Sequence, residues 1–158
     1  MQVNEGFVVY LFCRFHERLG FDKILWIDAY FPDCIAEKNG KKVRIEFESD
    51  AYFLRNHLKV RTYWSQIYKI VETDEKYVIK DRDLDLTIEE YPKSEYKIRN
   101  YPNGQFEVLY RKLPLDYCIC WKTKRQTRER FREVKIIELS KIPFIISFLK
   151  QKGYIQKV

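Results

Sequence analysis

The sequence predicts an α/β fold that carries a β-rich insertion. Three observations predict it. Apolar residues recur at helical spacing near both ends of the chain and at strand spacing between them. An Asn39-Gly40 pair joins two alternating runs, the strongest short-range hairpin signal. From 61 to 114 the chain changes to short alternating runs broken by polar turns. Its 158 residues suffice for one core domain, over 1–60 and 115–158, with the β-rich insertion at 61–114.

Residues 5–19 read as a helix in which Val8, Phe12, Phe15 and Leu19 form one apolar face. Asn4 is its N-cap and Gly20 its stop. Residues 23–30 are dense in apolar, β-favouring side chains and read as a strand. Residues 31–37 and 42–48 are the two hairpin arms, and 50–59 read as a helix capped by Ser49 or Asp50. Within the insertion, Pro102-Asn103-Gly104 marks another hairpin. Residues 116–121 form a compact apolar strand, 122–132 a basic loop or short helix, and 134–139 a strand. Pro143 opens a last helix, which Gly153 stops.

A net charge of +7 favours an anionic partner, most commonly nucleic acid. No apolar run approaches the roughly 20 residues that span a bilayer. The N-terminus lacks the pattern of a signal peptide, so a cytoplasmic protein without a membrane partner is expected. Cys13, Cys34, Cys118 and Cys120 form no C-x-x-C pair and read as buried free thiols. His16 and His57 are isolated on predicted helices and read first as surface or packing residues, His57 being the better catalytic candidate. No Gly-rich phosphate loop or dinucleotide fingerprint is present, so no cofactor-binding residues are assigned.

The hairpin carries the chemistry. In a two-residue turn at Asn39-Gly40, Lys38 faces Lys41, Cys34 faces Ile45, and Asp33 faces Glu46. Strand alternation then gives Cys34, Ala36, Val43, Ile45 and Phe47 one uncharged face, and a slip by one residue would bury charge there. The other face holds Asp33, Glu46 and Glu48. Opposed side chains have Cβ atoms about 4.5–5.5 Å apart, so Asp33 and Glu46 can share one cation. A Mg²⁺ or Mn²⁺ ion would neutralise them. The alternative is a solvated strand face on which Lys42 and Arg44 screen the acids.

The run Phe31-Pro32-Asp33, followed by Arg44-Ile45-Glu46-Phe47-Glu48, resembles the PD-(D/E)xK nuclease superfamily. The resemblance implies a restriction-endonuclease-like core of helix, mixed central sheet and helices. Asp33 and Glu46 match the two metal-binding carboxylates, and Glu48 stands where the family usually has lysine, as in the ExE variant. That variant implies a catalytic set of Asp33, Glu46 and Glu48, with Glu48 acting on the attacking water. Glu5 matches an extra metal-binding acid on the first helix. Arg55 and Lys59 are candidates to replace the missing lysine. The resemblance covers about two-thirds of the chain and leaves 62–114 without a counterpart.

Lys122, Lys124, Arg125, Arg128, Arg130 and Arg132, against the single acid Glu129, form a candidate phosphate-binding arm. In the insertion, Lys93, Lys97, Arg99, Arg111 and Lys112 alternate with Tyr91, Tyr96, Tyr101 and Tyr110. That pattern serves either nucleic-acid stacking or a small β core. The sequence thus predicts a Mg²⁺-dependent endonuclease acting on double-stranded DNA, in which a homodimer would serve to cut both strands. The alternatives are a non-catalytic nucleic-acid-binding module on the same fold, or a protein-interaction or assembly factor.

Overall fold

The protein is described here by a computed structural model covering residues 2–156. Asn4 caps the first helix, α1 (Glu5–Phe15), its side chain accepting a hydrogen bond from the Phe7 amide at 2.9 Å. The helix is shorter than its apolar pattern predicts: residues 16–20 continue as turns, ending at Gly20 with φ +96°. Strand β1 (Lys23–Ile27) follows, then β2 (Cys34–Lys38) and β3 (Lys41–Asp50). A 3-10 helix (Ala51–His57) leads on from β3. Six strands come next: β4 (Lys59–Trp64), β5 (Tyr68–Glu72), β6 (Lys76–Asp81), β7 (Thr87–Pro92), β8 (Tyr96–Asn100) and β9 (Gln105–Tyr110). The chain then forms β10 (Tyr117–Lys122), α2 (Arg125–Arg130), β11 (Lys135–Glu138), a 3-10 turn (Leu139–Lys141) and α3 (Pro143–Gln151). No helix of the described residues is long and apolar enough to cross a membrane.

The chain divides into two units, Met1–Leu54 with Leu115–Val158, and Arg55–Pro114. The first is mixed α/β, with a five-stranded sheet in the order β1-β2-β3-β10-β11. Pairing is antiparallel from β1 to β3 and parallel from β3 to β11. The uncharged face of the hairpin is its core side: Cys34, Ala36, Ile45 and Phe47 are buried with Val8, Leu11 and Phe12 of α1 and with Ile145 and Leu149 of α3. Phe12 packs on Phe47 and Phe21, each with ring centroids 5.2 Å apart.

The second unit has two three-stranded antiparallel sheets, β4-β9-β8 and β5-β6-β7. Its core is Tyr63, Ile79, Tyr91, Phe106 and Val108. Tyr63 stacks on Phe106 and exchanges a 2.8 Å hydroxyl hydrogen bond with Tyr91. Tyr96 packs edge-on against Tyr91, and the Tyr101 hydroxyl donates to Glu107. These tyrosines are structural here, because a meander this small needs aromatic area to bury.

β1 ends at Ile27, short of the predicted 30, and further elements depart from the sequence-based expectation. Residues 50–59 are not an α-helix. Pairing of β3 with β10 runs on to Asp50, opposite Lys122, and β4 begins at Lys59, which leaves room only for the 3-10 segment. The first hairpin arm is shorter than predicted, since β2 begins at Cys34; Pro32, without an N–H, cannot extend the ladder.

The hairpin register is the predicted one, with Cys34 opposite Ile45, Ala36 opposite Val43 and Lys38 opposite Lys41. Asn39 and Gly40 both take positive φ, +52° and +76°, as the two-residue turn demands. A Cβ at Gly40 would meet nothing within 4 Å, so Gly40→Ala tests the backbone alone. The left-handed conformation costs an L-residue about 1–2 kcal/mol, and Gly40→Ala is expected to lower the melting temperature by about 2–8 °C. Thermal unfolding followed by circular dichroism checks this, with Lys41→Ala as the control expected to change it little.

Candidate metal centre

Strand β3 lies in the middle of the sheet, paired with β2 on one side and β10 on the other. Alternation sends Ile45 and Phe47 to the helix-covered face and Glu46 and Glu48 to the opposite one. Glu46 is 1% exposed, Glu48 6% and Asp33 9%. Carboxylates are almost never this buried unless they are paired.

Asp33 and Glu46 stand opposite each other just beyond the first β2–β3 pair, and each carboxylate accepts a backbone amide of the hairpin. The Asp33 amide donates to Glu46 Oε1 at 2.9 Å, and the Phe47 amide donates to Asp33 Oδ2 at 3.0 Å. Glu48 lies two residues along β3, on the same face as Glu46. Carboxylates gathered in this way form a donor set that a hard divalent ion accepts.

The electrostatics match this crowding. The Asp33 carboxyl is pushed up to about 8, first by burial; the Phe47 amide opposes this, and Glu46 and Glu5 add to it. Glu5, in the first turn of α1, is therefore close enough for its charge to act on Asp33. On β10, Cys118 is paired with Glu46 and Cys120 with Glu48, so both thiols line the acidic face. The Cys118 thiol is pushed well above its ordinary value, first by its hydrogen bond with Cys120, then by burial and by the charges of Glu48 and Glu46. Cys34, Cys118 and Cys120 are buried free thiols, whereas Cys13 is exposed on α1, away from the apolar face.

The structure places Asp33 against Glu46, with Glu48 on the same face of β3, and the charge of Glu5 acts on Asp33. His16 remains at the end of α1, its Nδ1 3.0 Å from the Cys13 carbonyl. Lys59 lies on β4 and pairs with Glu107 at 3.5 Å.

The six basic residues of 122–132 are all exposed but unequally committed. Arg128 ties α2 to β11, with Nη1 donating to the Ile136 carbonyl at 2.9 Å and Nη2 3.5 Å from Glu138. Arg125 pairs with Glu129 at 3.1 Å, and Arg130 covers the Phe131 ring. Lys122, Lys124 and Arg132 make no ion pair among the described residues.

No family model, curated protein or solved structure matches this chain.

Because the folded state holds the Asp33 proton up to about pH 8 while an unfolded chain releases it near 3.8, unfolding between these values sheds a proton. The stabilisation from Asp33 is therefore full below about pH 4 and is lost as pH rises through about 8. Asp33→Asn removes that titration. In metal-free buffer, the melting temperature of the wild type relative to Asp33→Asn should fall across this window. A constant difference would mean that Asp33 is already ionised in the fold.

Proposed function

We propose that this chain is a metal-dependent nuclease that hydrolyses phosphodiester bonds of double-stranded DNA on a restriction-endonuclease-like core. The observation that carries the reading is the placing of Asp33 against Glu46, with Glu48 on the same face of the central strand β3 and all three carboxylates buried. The sheet order, with an antiparallel hairpin feeding parallel strands behind a leading helix, supports the same resemblance.

In this reading Asp33 and Glu46 hold Mg²⁺ or Mn²⁺, with Glu5 adding negative charge. A bound divalent ion would supply Lewis acidity to a water and to the scissile phosphate. Glu48 would accept the proton of the attacking water, whose oxygen adds to phosphorus as the bond to the leaving sugar oxygen breaks and that oxygen takes a proton from solvent. Lys122, Lys124 and Arg132 steer the phosphate backbone, because their charges are not spent on ion pairs among the described residues.

One observation favours a second reading, a non-catalytic nucleic-acid-binding module. Asp33 and Glu46 each give one oxygen to a backbone amide, a purely structural use of both acids. A plasmid-nicking assay separates the two. With Mn²⁺ or Mg²⁺, Asp33→Ala and Glu46→Ala are expected to lose roughly 10²-fold or more in cleavage while keeping DNA binding. Equal cleavage by wild type and variants would assign the activity to a contaminant and leave the binding module.

DNA binding itself is checked by salt titration. Replacing Lys122, Lys124 and Arg132 with Ala should lower the slope of log K against log salt by about one for each charge removed. An unchanged slope would remove this segment from the interface.

A further inference from the structure

Strands β3 and β10 run parallel and end together. Asp50 is the last residue of one and Lys122 the last of the other, and the two stand opposite each other. Sheets of parallel strands place ligands outside the carboxyl ends of those strands. Here that end opens into a cleft of about 470 Å³, lined by Gln2, Ser49, Asp50, Phe53, Trp121 and Lys122. Ligand clefts typically measure roughly 300–1,000 Å³. Part of the lining is aromatic: Phe53 is 42% exposed, and Trp121 is half-buried against the core of the first unit. The polar part carries one charge of each sign, and neither neutralises the other. Lys122 is exposed and makes no ion pair among the described residues. Asp50 accepts the Tyr52 amide at 3.0 Å through Oδ1, and its Oδ2 meets no partner among the described residues. Aromatic surface, an acceptor and a cation side by side fit a ligand with a planar apolar body, a hydrogen-bond donor and an anion.

We propose that this cleft takes one unpaired nucleotide of a nucleic-acid strand, its base against Phe53 and Trp121 and its phosphate on Lys122. Bases of any sequence stack on aromatic side chains, and lysine binds phosphate as a point charge. Asp50 accepts an N–H of the base, as carboxylates accept from the cytosine amino group. An aromatic amino acid has the same three features, but the surrounding charge favours the nucleotide. Lys122 opens the basic run 122–132, in which Lys124 and Arg132 also make no ion pair among the described residues. Such a run tracks a polyanion rather than a single carboxylate. Asp50 continues the alternation of Glu46 and Glu48, so the cleft opens about 7 Å along β3 from Glu48. In a duplex, the nucleotide must leave the stack to enter it. The inference rests on the nucleic-acid-binding side of the proposed function and not on cleavage.

Equilibrium dialysis of the full chain in metal-free, low-salt buffer tests this, with deoxycytidine monophosphate, deoxycytidine and tryptophan as probes. The monophosphate is expected to bind, the nucleoside to bind roughly tenfold more weakly, and tryptophan not to bind. Phe53→Ala is expected to weaken monophosphate and nucleoside alike, by roughly tenfold. Lys122→Ala should bring the monophosphate down to the affinity of the nucleoside and leave the nucleoside unchanged. Both side chains are exposed, so the circular dichroism spectrum of each variant is expected to match the wild type. No binding of the monophosphate at millimolar concentration, binding indifferent to Phe53→Ala and Lys122→Ala, or tighter binding of tryptophan would each overturn the proposal. DNA cleavage by a chain that does not bind the monophosphate would remove this site and leave the nuclease standing. Binding of the monophosphate by a chain that cleaves nothing would do the reverse.

Discussion

Strand β3 carries carboxylates into the centre of a sheet, where little of them is exposed, and much of the first unit is arranged around that constraint. A buried, uncompensated charge is far more costly than any single packing contact is favourable. The chain meets this cost locally. Glu46 accepts the Asp33 amide, Asp33 accepts the Phe47 amide, and Asp33 itself retains a proton.

The same strand separates packing from chemistry by alternation. Ile45 and Phe47 lock the sheet against α1 and α3, while Glu46 and Glu48 face the other way. A backbone held this firmly from one side fixes where the acids point on the other, which is what pre-organisation of a site means physically. The parallel pairing with β10 adds Cys118 and Cys120 beside the same acids, giving them small, neutral, apolar neighbours rather than solvent. Such neighbours keep the dielectric low and strengthen every electrostatic interaction in the site.

Much of the hairpin was legible in the sequence because everything that sets it is local. Asn39 and Gly40 demand one turn, the turn fixes the register, and the apolar alternation of Cys34, Ala36, Ile45 and Phe47 admits only one face toward the core. The cap at Asn4 and the helix opened by Pro143 were legible for the same reason. The 3-10 segment at Ala51–His57 was not. Its form follows from how far β3 stays paired with β10, and β10 begins about sixty residues later in the chain. The commitment of Arg128 to Glu138 and Ile136 was equally hidden, because a basic run looks uniform until its neighbours are placed.

By itself, the sequence determined the α/β alternation, the tight turn, and the opposition of Asp33 to Glu46, since each depends on residues within a few positions of one another. Tertiary structure alone decided that β3 is a central strand, that the β10 thiols adjoin its acids, and that the apolar run of β1 ends up on an edge. The physical reason is that strand order and parallel pairing come from burying the sheet against α1 and α3. That is a property of the whole core and is written in no single segment.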